Sequence, residues 1–201
     1  MNNTHIDISG NKTWSNKNKQ IHREDGPAIE FADGSKSWYQ HGKRHRVDGP
    51  AIEWSNGSKE WYQHGKLHRD DGPAVEGADG DKAWYQYGKL HRDNGHATED
   101  ANGNKYWYRH GKRHRVDGPA VEYSNENKYW YRRGKLHRVD GPAVEDDYGT
   151  KYWYRYGKRH RKDGPAVEEV TGYKEWWVND KKINVNSQED FKRYMKLKAF
   201  W

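Results

Sequence analysis

A unit of 23 residues, in which short apolar segments alternate with polar turns, recurs seven times along the chain. In the second copy, Ala51-Ile52 and Trp61-Tyr62 are the apolar segments, and the polar run Ser55 to Lys59 separates them. Each copy opens on a His-Arg pair, whose histidines are His22, His45, His68, His91, His114, His137 and His160. Because so small a unit cannot bury its apolar face alone, this strict period predicts stacked supersecondary units.

Two glycine-containing dipeptides divide each unit into strands. A pair such as Asn56-Gly57 lies between the apolar segments and is typical of a two-residue type I′ hairpin turn. The glycine of His64-Gly65 predicts a second turn after the Trp-Tyr segment. If Asn56-Gly57 is the loop, Ile52 pairs with Trp61, and the Ile/Val, Trp and His positions of each unit form one apolar face.

The Asp-Gly-Pro that follows the His-Arg pair in six of the seven repeats must interrupt strand pairing, because proline cannot donate a backbone hydrogen bond. The pattern alone leaves open whether this tripeptide makes a third tight turn or a bend within one long strand.

The fold class that these patterns predict is all-β, an elongated, single-layer antiparallel ribbon of β-hairpin repeats. We assign the repeats to residues 22–183, with starts at 22, 45, 68, 91, 114, 137 and 160. Residues 1–21 imitate half a repeat and are interpreted as an N-terminal cap. Residues 184–201 are predicted to form a short C-terminal capping helix and a tail, because Ser187 and Asp190 match a capping box. The lysines of this helix also allow a basic helix at a membrane surface as the alternative.

The composition excludes a thick two-layer core. Hydrophobic residues make up 31% of the chain and charged residues 33%, and the mean hydropathy is −1.50. The apolar content lies mainly in 11 Trp and 15 Tyr, which favours a thin stack sealed by aromatic rings over a disordered chain. The chain has no cysteine, which excludes disulfides and thiolate-bound metals. The first residues show neither a secretory signal nor a membrane span.

The stretch Trp61 to His68, together with Gly72 and the Asp79-Gly80 turn, resembles the membrane occupation and recognition nexus (MORN) repeat. The Asp-Gly-Pro-Ala signature is similar to variant MORN-like repeats in bacterial, phage and giant-virus proteins. The resemblance covers about residues 22–183 and departs from the standard repeat where arginines such as Arg69 replace the first glycine of the bend. It implies an elongated single-layer sheet with Asp-Gly-Pro as a bend, and a role in binding or scaffolding. Some members contact phospholipid and others contact protein.

The seven in-register histidines, with in-register glutamates such as Glu53, raise the question of a metal site. Neighbouring repeats about 9.6 Å apart cannot share a metal whose ligand bonds are near 2 Å. We therefore predict no metal and no cofactor, and interpret each histidine as packed on Trp and hydrogen-bonded to a turn carboxylate such as Asp48. Because Glu53 and Lys59 recur in every repeat and no catalytic motif stands out, we expect no enzymatic activity.

The charge is unevenly distributed along the chain. Residues 22–90 carry 10 Lys and Arg against 12 Asp and Glu, whereas residues 91–201 carry 24 against 17. The position after the Tyr of each Trp-Tyr pair accounts for part of this change: it holds Gln40, Gln63 and Gln86 in the first three repeats and arginine in the next three. The candidate binding residues are Tyr108, Arg109, Tyr131, Arg132, Arg133, Tyr154, Arg155 and Arg159.

A ladder of arginine beside tyrosine suits two classes of macromolecular ligand. Tyr, Trp and Arg dominate protein interfaces, so we predict a protein-binding scaffold or inhibitor, with a phage or viral protein engaging a host factor as one form of it. The alternative is a polyanion binder, with nucleic acid ahead of acidic phospholipid. A nucleotide-like small molecule between hairpins is a third hypothesis, and a merely solvated basic face is the simplest. The expected location is the cytoplasm, or the host cytoplasm for a phage or viral protein.

Overall fold

Short antiparallel strands and one helix make up the computed structural model, which describes residues 3–198. The chain divides into two compact units, Met1–Ala101 and Asn102–Trp201, here called the N-terminal unit and the C-terminal unit. Both units consist of the same repeated hairpins, so the predicted all-β hairpin-repeat fold with a C-terminal helix is confirmed.

The strands of the N-terminal unit are β1 (Asn3–Ile6), β2 (Lys12–Ser15), β3 (Ile29–Glu30), β4 (Lys36–Ser37), β5 (Tyr39–Gln40), β6 (Lys43–Arg44), β7 (Ile52–Glu53), β8 (Lys59–Glu60), β9 (Tyr62–Gln63), β10 (Lys66–Leu67), β11 (Val75–Glu76), β12 (Lys82–Ala83), β13 (Tyr85–Gln86), β14 (Lys89–Leu90) and β15 (Thr98–Glu99). The elements of the C-terminal unit are β16 (Lys105–Tyr106), β17 (Tyr108–Arg109), β18 (Lys112–Arg113), β19 (Val121–Glu122), β20 (Lys128–Tyr129), β21 (Tyr131–Arg132), β22 (Lys135–Leu136), β23 (Val144–Glu145), β24 (Lys151–Tyr152), β25 (Tyr154–Arg155), β26 (Lys158–Arg159), β27 (Val167–Glu168), β28 (Lys174–Val178), β29 (Lys181–Ile183) and α1 (Gln188–Lys198).

Each unit contains one open antiparallel sheet built from the Ile/Val-Glu and Lys-containing strands. In the N-terminal unit the order of paired strands is β1-β2-β3-β4-β7-β8-β11-β12-β15. In the C-terminal unit it is β16-β19-β20-β23-β24-β27-β28-β29. Glu53 lies opposite Lys59 in its own repeat and opposite Lys36 of the preceding one, so opposite charges alternate across the strands.

The remaining strands form small two-stranded hairpins beside the sheet. In the hairpin of β9 and β10, Gln63 lies opposite Lys66, and the turn residues His64 and Gly65 have φ angles of 50° and 82°. Positive φ at both central residues is the mark of a type I′ turn. Gly65 N–H donates to the carbonyl of Arg44 at 2.8 Å, which links this hairpin to the one before it.

The prediction of a two-residue turn at Asn56-Gly57 was wrong. Trp54 N–H donates to the carbonyl of Ser58, and Gly57 N–H donates back to Trp54, both at 2.9 Å. The loop therefore contains three residues, and Gly57, with φ of 91°, takes the left-handed position that ends such a loop. The added residue shifts the register by one, so that Ile52 lies opposite Glu60 and not opposite Trp61.

The most deeply buried row is the alanine at the end of each bend, which follows Asp-Gly-Pro in six repeats and Asn-Gly-His in the fourth, and the predicted apolar face did not include it. The alanine is 0% exposed in all seven repeats, at Ala28, Ala51, Ala74, Ala97, Ala120, Ala143 and Ala166. Ile52 and His68 are buried as expected, whereas Trp61 is half-buried. Trp61 N–H donates to the carbonyl of Ala74 in the next repeat at 2.8 Å, and the small alanine side chain lets the two backbones approach.

Helix α1 covers the last hairpin. Asp190 N–H donates to Ser187 Oγ at 3.1 Å, which confirms Ser187 as the helix cap. The Asp190 carboxylate accepts from the Ser187 hydroxyl at 2.6 Å, whereas in a full capping box it would accept from the Ser187 backbone N–H. Phe191 is fully buried, with its ring centroid 6.5 Å from that of Trp176, and packs in one cluster with Ile183. The apolar face of α1 is therefore occupied by the hairpin. Within residues 3–198, no helix has the length and apolarity that crossing a membrane requires.

Candidate binding grooves of the C-terminal unit

Each Asp-Gly-Pro bend is held by the arginine of the His-Arg pair before it. Arg115 Nε donates to Asp117 at 3.1 Å, and Arg115 Nη1 donates to the carbonyl of Pro119 at 3.2 Å and to Glu122 at 2.7 Å. Its guanidinium also lies over the ring of Trp107, 4.1 Å from the centroid. The segment is thus a bend fixed by a side chain. It joins strand β18 of a hairpin to strand β19 of the sheet and does not lie inside one long strand.

The same arginine–tryptophan stack occurs in every repeat. The distances from the guanidinium carbon to the ring centroid lie between 3.9 and 4.2 Å for Arg23–Trp14, Arg46–Trp38, Arg69–Trp61, Arg92–Trp84, Arg115–Trp107, Arg138–Trp130 and Arg161–Trp153. A Cβ on Gly118 would lie 2.9 Å from the Arg115 Cζ, so the glycine of the bend leaves room for the guanidinium. The arginine that departs from the standard MORN repeat is therefore a structural residue, a role that the sequence analysis missed.

The histidines link successive repeats. His137 Nδ1 accepts a hydrogen bond from Tyr156 N–H at 3.2 Å, and the two rings stack with centroids 4.2 Å apart. This contact supports the left-handed backbone of Tyr156, whose φ is 49°. The predicted carboxylate was at the wrong position, because an Asp-Gly-Pro aspartate such as Asp117 is bound by arginine, and where an acid approaches the histidine it lies two residues after it. No group of three or more metal-ligating side chains occurs in the described part of the chain.

The second ring nitrogen of these histidines has different surroundings in different repeats. An acid two residues after the histidine approaches Nε2 in three repeats, in the pairs His22–Glu24 (3.5 Å), His68–Asp70 (3.4 Å) and His91–Asp93 (3.3 Å). The corresponding residue is Val139 after His137 and Lys162 after His160. In these last two repeats Nε2 is buried and has no hydrogen-bond partner among residues 3–198.

Burial and nearby cations disfavour the protonated form of these rings. Burial lowers the pKa of His137, and the positive charges of Arg132 and Arg155 lower it further. Burial also lowers the pKa of His160; the hydrogen bond with Asn179 opposes this effect, while Lys162 and Arg155 add to it. Both rings are therefore neutral at pH 7, and because Nδ1 accepts a hydrogen bond, the ring hydrogen lies on Nε2.

We expect the melting temperature to fall by several degrees between about pH 7.5 and pH 5.5. Four histidines, His45, His114, His137 and His160, have a pKa below the ordinary value of 6.5 in the folded chain. Below that value the unfolded chain binds protons that the folded chain does not, so acid favours unfolding. Thermal melts across this range check the sign, and Val139→Asp should reduce the loss, since a carboxylate beside His137 favours its protonated form. A melting temperature that rises toward pH 5.5 would contradict the assignment of these rings as neutral.

Two grooves between successive bends lie beside these histidines. The first groove, of about 710 Å³, is lined by Val116, Trp130, Arg132, His137 and Val139, together with both bends. The second groove, of about 610 Å³, repeats this arrangement one repeat later, and its lining includes Val139, Trp153, Arg155, His160 and Lys162.

The corresponding groove of the N-terminal unit is smaller and carries the opposite charge. It has a volume of about 350 Å³, and its lining includes Asp70, Gln86 and Asp93 at the positions of Val116, Arg132 and Val139. The change of net charge along the chain is therefore also present in the grooves.

Arg109, Arg132 and Arg155 are exposed at the ends of their strands. Each lies opposite a lysine in its hairpin, in the pairs Arg109–Lys112, Arg132–Lys135 and Arg155–Lys158. None of these three side chains, nor that of Arg133, has an ion-pair or hydrogen-bond partner in the range 3–198. Arg132 enters the first groove and Arg155 the second, whereas Arg109 and Arg133 line neither.

The other predicted site residues serve the fold. Arg159 Nε donates to Tyr154 Oη at 3.2 Å, and the guanidinium lies 5.1 Å from the ring centroid of Trp177. Arg113 donates in the same way to Tyr108 and Tyr131, at 3.3 and 3.4 Å. The three tyrosines are half-buried and hydrogen-bonded, so they are not free platforms for stacking.

The sequence analysis did not identify three features of the grooves. These are the tryptophans that line them, the valines at the bends and the buried histidine nitrogens that have no partner in residues 3–198. The variation from acid to valine or lysine two residues after each histidine was the available signal.

A scan against protein-family models finds no match to this chain. A search of curated proteins finds no matching relative either. The resemblance to MORN-like repeats therefore stays a prediction from the sequence.

Proposed function

We propose that the protein is a non-enzymatic binding protein whose C-terminal unit holds a partner protein, as a scaffold or an inhibitor. The observation that supports this proposal is the pair of grooves. Each is lined by a tryptophan, by exposed valine and by Arg132 or Arg155, which have no ion-pair partner among residues 3–198. Val116 is 83% exposed and Val139 is 67% exposed, although only 31% of the chain is hydrophobic. Tryptophan and arginine in one concave surface are typical of the residues that dominate protein interfaces.

The mixed charge of the grooves favours a protein over a polyanion. Asp117 and Asp140 line the first groove together with Arg132, so a ligand with a continuous row of phosphates would meet carboxylates as well as cations. The half-buried tyrosines argue in the same direction, because base stacking needs a free aromatic face. The similarity to phage and giant-virus repeats supports a host protein as the partner, in the host cytoplasm.

One observation favours the alternative, a polyanion binder with nucleic acid ahead of acidic phospholipid. The directly opposed pairs such as Arg132–Lys135 place like charges side by side, and such pairs gain from an anionic ligand. Salt separates the two functions. A contact through several phosphates weakens by orders of magnitude between low and moderate salt, and an interface centred on Trp and Val weakens far less.

The triple variant Arg109→Gln/Arg132→Gln/Arg155→Gln tests this proposal. We expect it to melt like the parent, because the N-terminal unit carries glutamine at the same position and exposed substitutions change stability by less than about 0.5 kcal/mol each. It should lose most of its partner in quantitative pull-downs from extract of the source organism.

The control is Gln40→Ala/Gln63→Ala/Gln86→Ala, which should keep the partner. Full capture by the arginine variant would place the binding surface elsewhere on the chain. Capture that disappears at moderate salt and is also abolished by an added oligonucleotide would favour the polyanion function.

A further inference from the structure

Two histidine nitrogens that have no partner in the described part of the chain lie where three other repeats hold a carboxylate. His68 and His91 have Asp70 and Asp93 at 3.4 and 3.3 Å from Nε2. His137 and His160 are buried, with 5% and 8% of their surface exposed, and the same nitrogen has no acceptor among the described residues. A buried N–H without an acceptor destabilises the free protein, so an acceptor that reached this nitrogen after the covering side chain moved aside would remove that cost.

Each of these nitrogens shares a groove with an unpaired arginine. His137 and Arg132 line the first groove, and His160 and Arg155 line the second. The N-terminal groove differs at both positions. Gln86 stands in place of the arginine, and the Asp93 carboxylate lies 3.3 Å from Nε2 of His91. A neutral N–H donor and a guanidinium in one groove are the donor set that a carboxylate accepts from.

We propose that His137 with Arg132, and His160 with Arg155, form two carboxylate subsites that take acidic side chains from a segment of the partner protein. This inference rests on the proposed function and names the chemistry of the partner. The ligand carboxylate occupies the place that Asp70 and Asp93 occupy in their own repeats. Val139 and Lys162 hold that position here, and the proposal requires their exposed side chains to move aside so that the carboxylate reaches the buried nitrogen.

The distance between the subsites defines the ligand segment. They lie one repeat apart, and two strands at about 4.8 Å each give about 9.6 Å. A polyproline II helix advances about 3.1 Å per residue with three residues per turn, so acids at positions i and i+3 lie on one side and about 9.3 Å apart. A segment with the pattern Glu-Pro-Pro-Glu therefore fits both subsites. Asp117 and Asp140 in the first groove disfavour the doubly charged phosphate that could otherwise replace a carboxylate.

The ligand for the test is a fluorescent peptide with three Glu-Pro-Pro units, titrated against the full chain and followed by fluorescence anisotropy. We expect saturable binding and at least a tenfold loss of affinity for the Gln-Pro-Pro peptide of the same length. Two-dimensional NMR of the histidine side chains should show the Nε2–H signals of His137 and His160 shifting on addition of the Glu peptide.

The decisive variants place a hydrogen-bond acceptor from the chain itself in each subsite. Val139→Asn/Lys162→Asn supplies an acceptor without charge, and Val139→Asp/Lys162→Asp supplies the carboxylate of the other repeats. Both should weaken peptide binding at least tenfold and leave the melting temperature unchanged or raised. Val47→Asp makes the matched change in the N-terminal unit and should bind the peptide like the parent.

Three outcomes would overturn the inference: equal binding of the Glu and Gln peptides, unchanged affinity in the Asn variant, or displacement of the peptide by a single-stranded oligonucleotide at much lower concentration. If the peptide fails to bind while the partner protein is still captured by the parent and lost by the arginine variant, the subsites are wrong and the proposed function stands.

Discussion

Replacing Trp107 by alanine should lower the free energy of unfolding of the C-terminal unit by about 3 kcal/mol. The ring carries the Arg115 guanidinium at 4.1 Å, and the Trp107 backbone bonds to Ala120 and His114 at 2.8 and 3.0 Å. Loss of the ring removes apolar contact and also leaves the guanidinium that holds the bend without its platform. Urea unfolding followed by tryptophan fluorescence and circular dichroism measures the change.

The matched control is Tyr148→Ala, which removes an aromatic ring from a loop position that is 79% exposed. This variant should unfold within about 0.5 kcal/mol of the parent. Equal losses for Trp107 and Tyr148 would show that the stack of tryptophan and arginine does not stabilise the repeat.

Arg115→Ala should also lower the free energy of unfolding by about 3 kcal/mol, because it removes a cation–π contact and charged hydrogen bonds in one step. Glu122 then keeps a half-buried carboxylate without its partner at 2.7 Å. Arg115→Lys should recover less than half of the loss, since an ammonium lacks the planar fork that reaches Asp117, Pro119 and Glu122 together.

Arg109→Ala is the control for this series, because its side chain is exposed and has no ion-pair partner in residues 3–198. It should melt within a degree or two of the parent. Arg115→Lys with the stability of the parent would mean that positive charge alone, and not the shape of the guanidinium, holds the bend.

The candidate site could be predicted only in part. The change from Gln86 to Arg109 at one repeated position showed that recognition could differ between the halves of the chain, and the structure places Arg132 and Arg155 of that row in grooves. Arg159 belonged to the same prediction, but its hydrogen bond to Tyr154 gives it a structural role. One-dimensional spacing cannot separate an arginine that faces a groove from one that packs on a neighbour.

The period of the repeat, the all-β class and the capping helix could be derived from the sequence alone, because they depend on residues close together in the chain. Gly57 and Gly65 mark the turns, and Ser187 and Asp190 lie three positions apart. Local chemistry of this kind holds wherever the segment is placed.

The register, the buried alanine row and the roles of arginine and histidine were decided by tertiary contacts. Asn56-Gly57 suits both a two-residue and a three-residue loop, whereas His64 adopts its left-handed turn with its N–H bonded to the ring of His45, nineteen residues earlier. Likewise, Nε2 of His137 has no acceptor among residues 3–198, because Val139 stands where three other repeats hold an acid. These properties depend on which side chains of successive repeats meet in space, and only the stacked structure determines that.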